Sequence, residues 1–319
     1  MRVLITGVNG FAGSHLADLL VAQAGVEVWG VGRGRADRIG HLAGRLAYRE
    51  GDLRDPGFAA QAVAEAAPER VYHLAGQAFG PAAWSEPWET FETNVRGQLN
   101  VLMALSGSPS PTRVLVVGSI EAYGTVAAAR LPFTEEMPLR PANPYAVSKA
   151  AQDLLALQYH LSEGLHVVRV RPANHIGPRQ DEMFVVSSFA RQIAEIEAGL
   201  RPPVLLVGNL EAERDFSDVR DVARAYLLAL EEGLPGEAYN VGSGHPVAIS
   251  AIVEWLLSAA RVPIEVRPDP ARMRPSDNPV SYCDASKLRA RTGWEPVRAL
   301  EETLADTLDD WRRRIGGAK

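Results

Sequence analysis

The feature that most constrains this chain is a glycine-rich turn near its start. Gly7, Gly10 and Gly13 recur every three residues, directly after the apolar run at residues 3–6 and directly before the amphipathic stretch at residues 11–22. Such glycines permit a tight turn, close approach of the backbone to a pyrophosphate, and packing of the helix against the strand. The helix N-terminus then offers free amides to the phosphates. The turn predicts a parallel α/β fold that binds a dinucleotide. The contacts expected from it are Gly7, Asn9, Gly10, Phe11, Ala12 and Gly13.

The first half of the chain continues this alternation of apolar runs and amphipathic stretches. Further strands are predicted at residues 26–31, 46–50, 71–74, 114–117 and 166–170. Helices are predicted notably at residues 87–105 and 144–162, and the alternation is typical of a doubly wound parallel sheet. After about residue 172 the pattern is interrupted by segments rich in proline and glycine. We therefore predict a Rossmann domain over residues 1–172, joined by a strand near residues 238–241, and a smaller mixed α/β substrate lobe over residues 173–319.

The loop after the second predicted strand bears on which dinucleotide binds. An enzyme that uses NAD usually places a carboxylate there for the 2′-hydroxyl of the adenosine ribose. This loop instead reads Gly-Arg-Gly-Arg at residues 32–35, and a guanidinium binds a phosphate through two hydrogen bonds. We predict that Arg33 meets a 2′-phosphate, which favours NADP(H) and leaves NAD(H) open; a solvated loop is the alternative. Further cofactor contacts are expected from Asp52, Leu53, Leu74, Ala75 and Gly76, and from Tyr145 and Lys149.

A serine, a tyrosine and a lysine indicate hydride-transfer chemistry. Tyr145 and Lys149 are four residues apart at the start of a predicted helix, so they share one face of it. A cationic lysine, together with the charge of a nicotinamide, lowers the pKa of a neighbouring phenol, which then exchanges a proton while hydride moves to or from the cofactor. Ser119 follows the strand at residues 114–117, at the sheet edge where α/β proteins build their sites. Glu121 either faces the same pocket or is a solvated loop carboxylate.

Composition argues against several other classes of site and partner. The net charge is -6, without the basic footprint of a nucleic-acid-binding protein. No run approaches the roughly 18 apolar residues of a membrane helix, and the N-terminus does not read as a signal peptide. One cysteine, Cys283, rules out an internal disulfide and fits a reducing compartment, so we expect a cytoplasmic protein. The histidines lack metal-ligand spacing, so no metal site is predicted.

Together these motifs resemble the extended short-chain dehydrogenase/reductase family, a group of NAD-dependent epimerases and dehydratases, over essentially the whole chain. The residues that carry the resemblance are the glycine turn, His73 to Gly76, Asn94, Ser119, Tyr145 and Lys149. The resemblance implies a Rossmann domain with a smaller C-terminal domain that binds a nucleotide sugar. It also implies a homodimer that pairs through the helices at residues 87–105 and 144–162.

The C-terminal half resembles the GDP-mannose branch of that family. Three segments carry this resemblance, at residues 171–179, 208–221 and 272–278. By it, Asn174 and Val185 contact the nucleotide diphosphate of a GDP-sugar, Arg214 lies on the guanine side, and Arg274 pairs with the diphosphate. An acidic protein needs such local arginines to bind an anionic ligand. For Arg214 an ion pair with a neighbouring aspartate is the alternative.

Within that branch the resemblance leaves two reactions in competition. A GDP-mannose 4,6-dehydratase oxidises C4, eliminates water across C5–C6 and returns hydride to C6, with a glutamate that takes the C5 proton. A reductase uses NADPH to deliver hydride to the C4 ketone of GDP-4-keto-6-deoxy-D-mannose, which yields GDP-D-rhamnose. Glu121 occupies the position of the dehydratase glutamate, whereas Ile120 and residues 216–218 favour the reductase. We favour the reductase; a different nucleotide-sugar epimerase or a non-catalytic NADP-binding regulatory protein are further alternatives.

Overall fold

The structure, a computed structural model, describes residues 1–107, 111–273 and 278–317. The β-strands of these ranges are β1 (Arg2–Thr6), β2 (Glu27–Gly32), β3 (Ala47–Glu50), β4 (Arg70–His73), β5 (Arg113–Val117), β6 (His166–Pro172), β7 (Asn174–Ile176), β8 (Val204–Val207), β9 (Glu213–Asp218), β10 (Ala238–Val241), β11 (Pro246–Ala248), β12 (Glu265–Pro268) and β13 (Val280–Ser281). The α-helices are α1 (Phe11–Val21), α2 (Pro56–Ala66), α3 (Gly80–Ser85), α4 (Pro87–Phe91), α5 (Gly97–Ser106), α6 (Pro144–Glu163), α7 (Val185–Glu197), α8 (Val219–Glu232), α9 (Ile249–Ser258), α10 (Ser286–Thr292) and α11 (Leu300–Gly316).

Seven strands form one sheet in the order β10-β6-β5-β4-β1-β2-β3, and every neighbouring pair in it is parallel. The chain first runs outward from β1 through β2 to β3 and then resumes on the other side of β1 with β4. Ligands of such sheets bind at the carboxyl edge where the direction reverses, which here is between β1 and β4. The predicted α/β class with a Rossmann-type sheet is confirmed. The outermost strand, β10, comes from the C-terminal half.

Helices cover both faces of this sheet, and the strand sequences show why. Successive residues of a strand point to opposite faces, so a strand covered on both sides is apolar throughout. In β5, Leu115 belongs to the core beneath α1 and α8, while its neighbours Val114 and Val116 belong to the core beneath α2 and α5. All three side chains are fully buried.

The C-terminal lobe has a hydrophobic core of its own. It is formed mainly by α7, α9 and α11, with apolar residues of β8 and β9. Strand β9 pairs with β7 and β13 in parallel and with β11 antiparallel, and β8 pairs with β12 in parallel. None of the helices in the described part of the chain is long and apolar enough to cross a membrane.

The segment predicted as one helix over residues 87–105 contains an irregularity. It consists of α4, a π-helical turn at Glu92–Arg96, and α5. The buried Asn94 lies in that turn, where it accepts a hydrogen bond from the amide of Gln77 at 2.7 Å and donates one to the hydroxyl of Ser148 at 2.9 Å. Such π-turns often mark functional sites, and this one joins the end of β4 to α6.

Candidate active site

The glycine turn after β1 has a geometry that side chains would obstruct. Gly7 has a φ of +72°, a conformation that L side chains rarely adopt, and a Cβ there would lie 2.8 Å from the amide nitrogen of Ala75. A Cβ on Gly13 would overlap the carbonyl oxygen of Gly7. Gly10 is the N-cap of α1 and has no side chain to cover the free amides of the first turn. This close packing of β1, α1 and the end of β4 leaves a cradle for a pyrophosphate.

A cavity of about 210 Å³ opens beside the turn. Nine of the predicted cofactor contacts line it, namely Gly7, Asn9, Gly10, Arg33, Asp52, Leu53, Leu74, Ala75 and Gly76. Phe11, Ala12 and Gly13 form the first turn of α1 instead, and the ring of Phe11 stacks on the imidazole of His175. The cradle and the arginine at its rim fit a dinucleotide.

The loop after β2 is held in place by the side chain of Asn9. Its amide nitrogen donates to the carbonyl oxygens of Arg33 at 2.8 Å and Arg35 at 3.0 Å. A Cβ on Gly32 would overlap the amide oxygen of Asn9, so glycine is required for this contact. The half-exposed guanidinium of Arg33 lies 3.6 Å from a carboxylate oxygen of Asp52. The loop thus presents Arg33 to the cavity rather than to bulk solvent alone.

The same cavity contains Arg54, which the sequence did not single out. Its guanidinium is 2.7 Å from the carboxylate of Asp52 and 2.6 Å from that of Glu89. Burial alone would raise the pKa of Asp52, but hydrogen bonds from Arg54 and the charge of Arg33 lower it below its ordinary value. Arg54 and Glu89 come from segments about 35 residues apart, and only the folded chain brings them together.

Ser119, Tyr145 and Lys149 meet at the carboxyl end of β5. Ser119 follows that strand, and its hydroxyl accepts a hydrogen bond from the amide of Glu121 at 3.2 Å. Asn143 caps α6 by accepting a hydrogen bond from the amide of Ala146 at 2.8 Å, and this helix carries the other two residues. Lys149 reaches the cofactor cavity, because a Cβ on Gly76 would lie 3.6 Å from its Nζ atom.

Burial dominates the protonation of the two titratable catalytic candidates. It lowers the pKa of Lys149 to about 8. It also raises the pKa of Tyr145, as does the charge of Glu121, while a hydrogen bond with Ser119 lowers it. The sequence led us to expect that Lys149 and a nicotinamide charge together lower the pKa of Tyr145; without a nicotinamide, desolvation outweighs the hydrogen bond with Ser119 and the pKa is raised. Tyr145 is therefore protonated at neutral pH.

Glu121 lies between the catalytic candidates and Arg214 of the C-terminal lobe. Its carboxylate accepts a hydrogen bond from the side chain of Asn143 at 3.2 Å. Its charge raises the pKa of Tyr145 and also acts on Arg214, whose pKa burial lowers and Glu121 raises. Glu121 is exposed, but its carboxylate is engaged by Asn143 and acts electrostatically on Tyr145, so the pocket-facing and solvated-loop alternatives both stay open.

A second cavity, of about 650 Å³, lies in the C-terminal lobe. Three of the predicted substrate residues line it, Asn174 at the start of β7, Val185 at the start of α7 and Arg214 in β9. Arg272, the first residue of the segment 272–278, also lines it, as do Arg191 and Arg201, which the sequence did not single out. The predicted contact Arg274 lies outside the described residues. A cavity with several guanidinium groups suits a ligand that carries a diphosphate.

Comparison with known proteins decides the family. The family model described as GDP-mannose 4,6-dehydratase matches residues 4–307. The chain belongs to this family. The predicted resemblance to the GDP-mannose branch of the extended short-chain dehydrogenases is thereby confirmed.

Members of the GDP-mannose 4,6-dehydratase family and its neighbours resemble the chain over nearly its full length. The GDP-6-deoxy-D-mannose reductase of Pseudomonas aeruginosa is 39% identical over 98% of this chain and 98% of its own. The GDP-mannose 4,6-dehydratase of Yersinia enterocolitica is 27% identical over 96% of this chain and 92% of its own.

Solved structures in and around the family share the fold. The structure of RMD from Pseudomonas aeruginosa complexed with NADPH matches with a TM-score of 0.85 at 36% identity, over 98% of this chain and all of that one. The UDP-glucose 4-epimerase of Thermus thermophilus in complex with NAD matches with a TM-score of 0.86 at 34% identity, over 98% and 99% of the two chains.

Proposed function

We propose that this chain is an NADPH-dependent reductase of the C4 ketone of GDP-4-keto-6-deoxy-D-mannose, with GDP-D-rhamnose as product. The observation that carries this proposal is the position of Ser119, Tyr145 and Lys149 between the two cavities. Lys149 borders the dinucleotide cradle, and the charge of Glu121 reaches both Tyr145 and Arg214 of the second cavity. A sugar held there by its nucleotide would present its ring to Ser119 and Tyr145. The greater similarity to a reductase, 39% against 27% for a dehydratase, supports the same choice.

The residues of this chain supply the proton and the orientation for the reaction. When bound, NADPH supplies the hydride that reduces C4. Tyr145, protonated at neutral pH, donates its hydroxyl proton to the ketone oxygen, so that the carbonyl becomes a secondary alcohol. Ser119 donates a hydrogen bond to the same oxygen and fixes its position. Lys149, cationic below its pKa of about 8, stabilises the phenolate that remains until solvent returns a proton.

The two ligands divide between the halves of the chain in this proposal. Residues 1–172 would hold NADP(H) on the glycine turn, with Arg33 at the 2′-phosphate, and residues 173–319 would hold the GDP-sugar. The arginines of the second cavity support this assignment, since a diphosphate is best met by guanidinium groups in a protein of net charge -6. The NADPH complex of the related Pseudomonas RMD supports NADP(H) as the cofactor of this chain.

A dehydratase is the second candidate, and one observation favours it. The charge of Glu121 raises the pKa of Tyr145, so the carboxylate is near the side of the site where a base for the C5 proton would be needed. Against this role, Asn143 holds the carboxylate and Arg214 attracts it. These contacts suit a residue that orients neighbouring groups. The neighbouring Ile120 offers no hydroxyl to assist a leaving group.

We also infer a cytoplasmic homodimer. The exposed side chains Val147, Leu154 and Leu161 lie seven residues apart along α6, and the exposed Met103 lies on α5. An apolar stripe of this kind is typical of a helix that pairs with another copy. The single buried Cys283 is compatible with a reducing compartment.

Substitution of Tyr145 tests the proposed reaction. The variant Tyr145→Phe removes only the hydroxyl that donates the proton. We expect it to bind NADPH with nearly unchanged affinity, measured by fluorescence titration, while reduction of the keto sugar falls by at least about a hundredfold. Wild-type turnover in this variant would exclude Tyr145 as the proton donor.

A further inference from the structure

The cofactor cavity has at its rim a group of four charges, Arg33, Asp52, Arg54 and Glu89, here called the rim cluster. Arg33, Asp52 and Arg54 line the cavity, while Glu89 reaches it from α4, one turn before the lining residue Thr93. Both arginines are thus within reach of whatever occupies the adenosine end of the cradle. Arg33 alone is the residue that the sequence assigns to a 2′-phosphate.

Glu89 bridges the two guanidinium groups of the rim cluster. Its Oε2 atom lies 2.6 Å from Nη1 of Arg54, and its Oε1 atom lies 3.6 Å from Nη1 of Arg33. A single anion that contacts two arginines through different oxygens is the arrangement by which proteins bind phosphate. The carboxylate of Glu89 thus lies between Arg33 and Arg54, in range of both guanidinium groups.

The other carboxylate of the cluster is held more firmly. Asp52 accepts two hydrogen bonds from the guanidinium of Arg54, at 2.7 and 2.8 Å, and a third from the backbone amide of Arg54 at 2.9 Å. Glu89 is partly exposed at 42% and is held in the cluster through its charge pairs with the arginines. Displacement of Glu89 by a ligand therefore costs less than displacement of Asp52.

We propose that Arg54 is a second ligand of the 2′-phosphate of NADP(H), and that Glu89 competes with this phosphate for both arginines. The proposal rests on the proposed function, which assigns NADP(H) to the cavity. In the free protein Asp52 and Glu89 together balance the charge of the two arginines; in the complex a phosphate of charge near −2 replaces Glu89, and Asp52 continues to orient Arg54. Arg54 thus favours the phosphorylated cofactor, and Glu89 limits that preference.

Two nucleotides that differ only in the 2′-phosphate test this directly, by isothermal titration calorimetry of the full-length protein. Adenosine 2′,5′-bisphosphate and 5′-AMP are each titrated, and the ratio of their affinities isolates the 2′-phosphate. In Arg54→Met we expect this ratio to fall about tenfold to a hundredfold, the loss of one charge-assisted contact. In Glu89→Gln we expect the affinity ratio to rise several-fold, because a competing anion is removed.

Arg35→Met is the matched control, because the Arg35 side chain is 89% exposed and pairs with Asp37. We expect the affinity ratio of this variant to equal that of the wild type.

Two results would overturn the proposal. An equal loss of both affinities in Arg54→Met would show that Arg54 only orients Asp52, and a lower ratio in Glu89→Gln would show that Glu89 does not compete. If Arg54→Met fails to fold, Arg54→Lys and Glu89→Gln decide the question in its place. A wild-type protein that binds both nucleotides with equal affinity would contradict this inference and the assignment of NADP(H) as cofactor. A clear preference in a protein that does not reduce the keto sugar would reject only the proposed reaction.

Discussion

Lys149 donates a hydrogen bond from its ammonium to the carbonyl oxygen of Val117 at 3.0 Å. This bond joins α6 to the last residue of β5 and holds a cation beside the cofactor cradle. Because Lys149 is almost fully buried, the same contact that positions the cation also costs free energy of desolvation. Activity and stability should therefore respond to this residue in opposite directions.

Removal of the buried charge should stabilise the cofactor-free protein. The lowered pKa of Lys149, about 8, corresponds to a cost of about 3 kcal/mol for burying its charge at neutral pH. Loss of the hydrogen bond to Val117 in the variant offsets about 1 kcal/mol of the gain from removing that charge. We expect Lys149→Met to raise the free energy of unfolding by about 2 kcal/mol in urea titrations at pH 7 and to abolish reduction. Lys287→Met is the control, because Lys287 forms a surface ion pair with Glu237 and should change stability by less than about 1 kcal/mol. A destabilised Lys149→Met protein would contradict this account.

The pH dependence follows from the same group. Lys149 is cationic below its folded-state pKa of about 8, so kcat/KM for the keto sugar should fall as pH rises through about 8. Stability should instead rise over this pH range. The folded-state pKa of Lys149 lies below the unfolded-state pKa, so at a pH between these two values the unfolded chain binds more protons than the folded one. The difference in unfolding free energy between wild type and Lys149→Met should therefore shrink from about pH 8 upward. A difference that stays constant up to pH 10 would show that Lys149 is not the titrating group.

The exposed apolar stripe on α6 predicts how the proposed homodimer responds to a charge placed in its interface. Leu154, 56% exposed, lies at its middle. We expect Leu154→Glu to halve the mass measured by size-exclusion chromatography with light scattering, because two such carboxylates cannot be buried face to face without a partner. Leu200→Glu, at a site that is 62% exposed but lies outside α5 and α6, should leave the mass unchanged. A wild-type monomer, or a dimeric Leu154→Glu, would place the interface elsewhere or exclude it.

Local patterns were enough to predict much of the fold and the grouping of Ser119, Tyr145 and Lys149 as catalytic candidates. The glycines of the β1–α1 turn, the four-residue spacing of Tyr145 and Lys149, and Ser119 after an apolar strand each follow from short-range geometry. The strand predicted near residues 238–241 is β10, whose parallel pairing with β6 extends the main sheet.

Other features depend on contacts between distant segments, which no local pattern shows. The π-helical turn around Asn94 interrupts a stretch whose apolar periodicity is that of an ordinary helix. Arg54 and Glu89 meet only because the loop after β3 and helix α4 converge at one cavity. The raised pKa of Tyr145 depends on how completely the surrounding chain excludes water, which residue spacing does not reveal.

The choice of reaction is tested most directly by the cofactor balance of the purified wild-type protein. One incubation contains GDP-4-keto-6-deoxy-D-mannose with NADPH, and another contains GDP-mannose alone; absorbance reports the NADPH and chromatography the sugar nucleotides. A reductase oxidises one NADPH for each keto sugar in the first incubation and leaves GDP-mannose unchanged in the second, which is the result we predict. Conversion of GDP-mannose to the keto sugar without net loss of cofactor, with NADPH untouched in the first incubation, would contradict it and would assign Glu121 the role of a base.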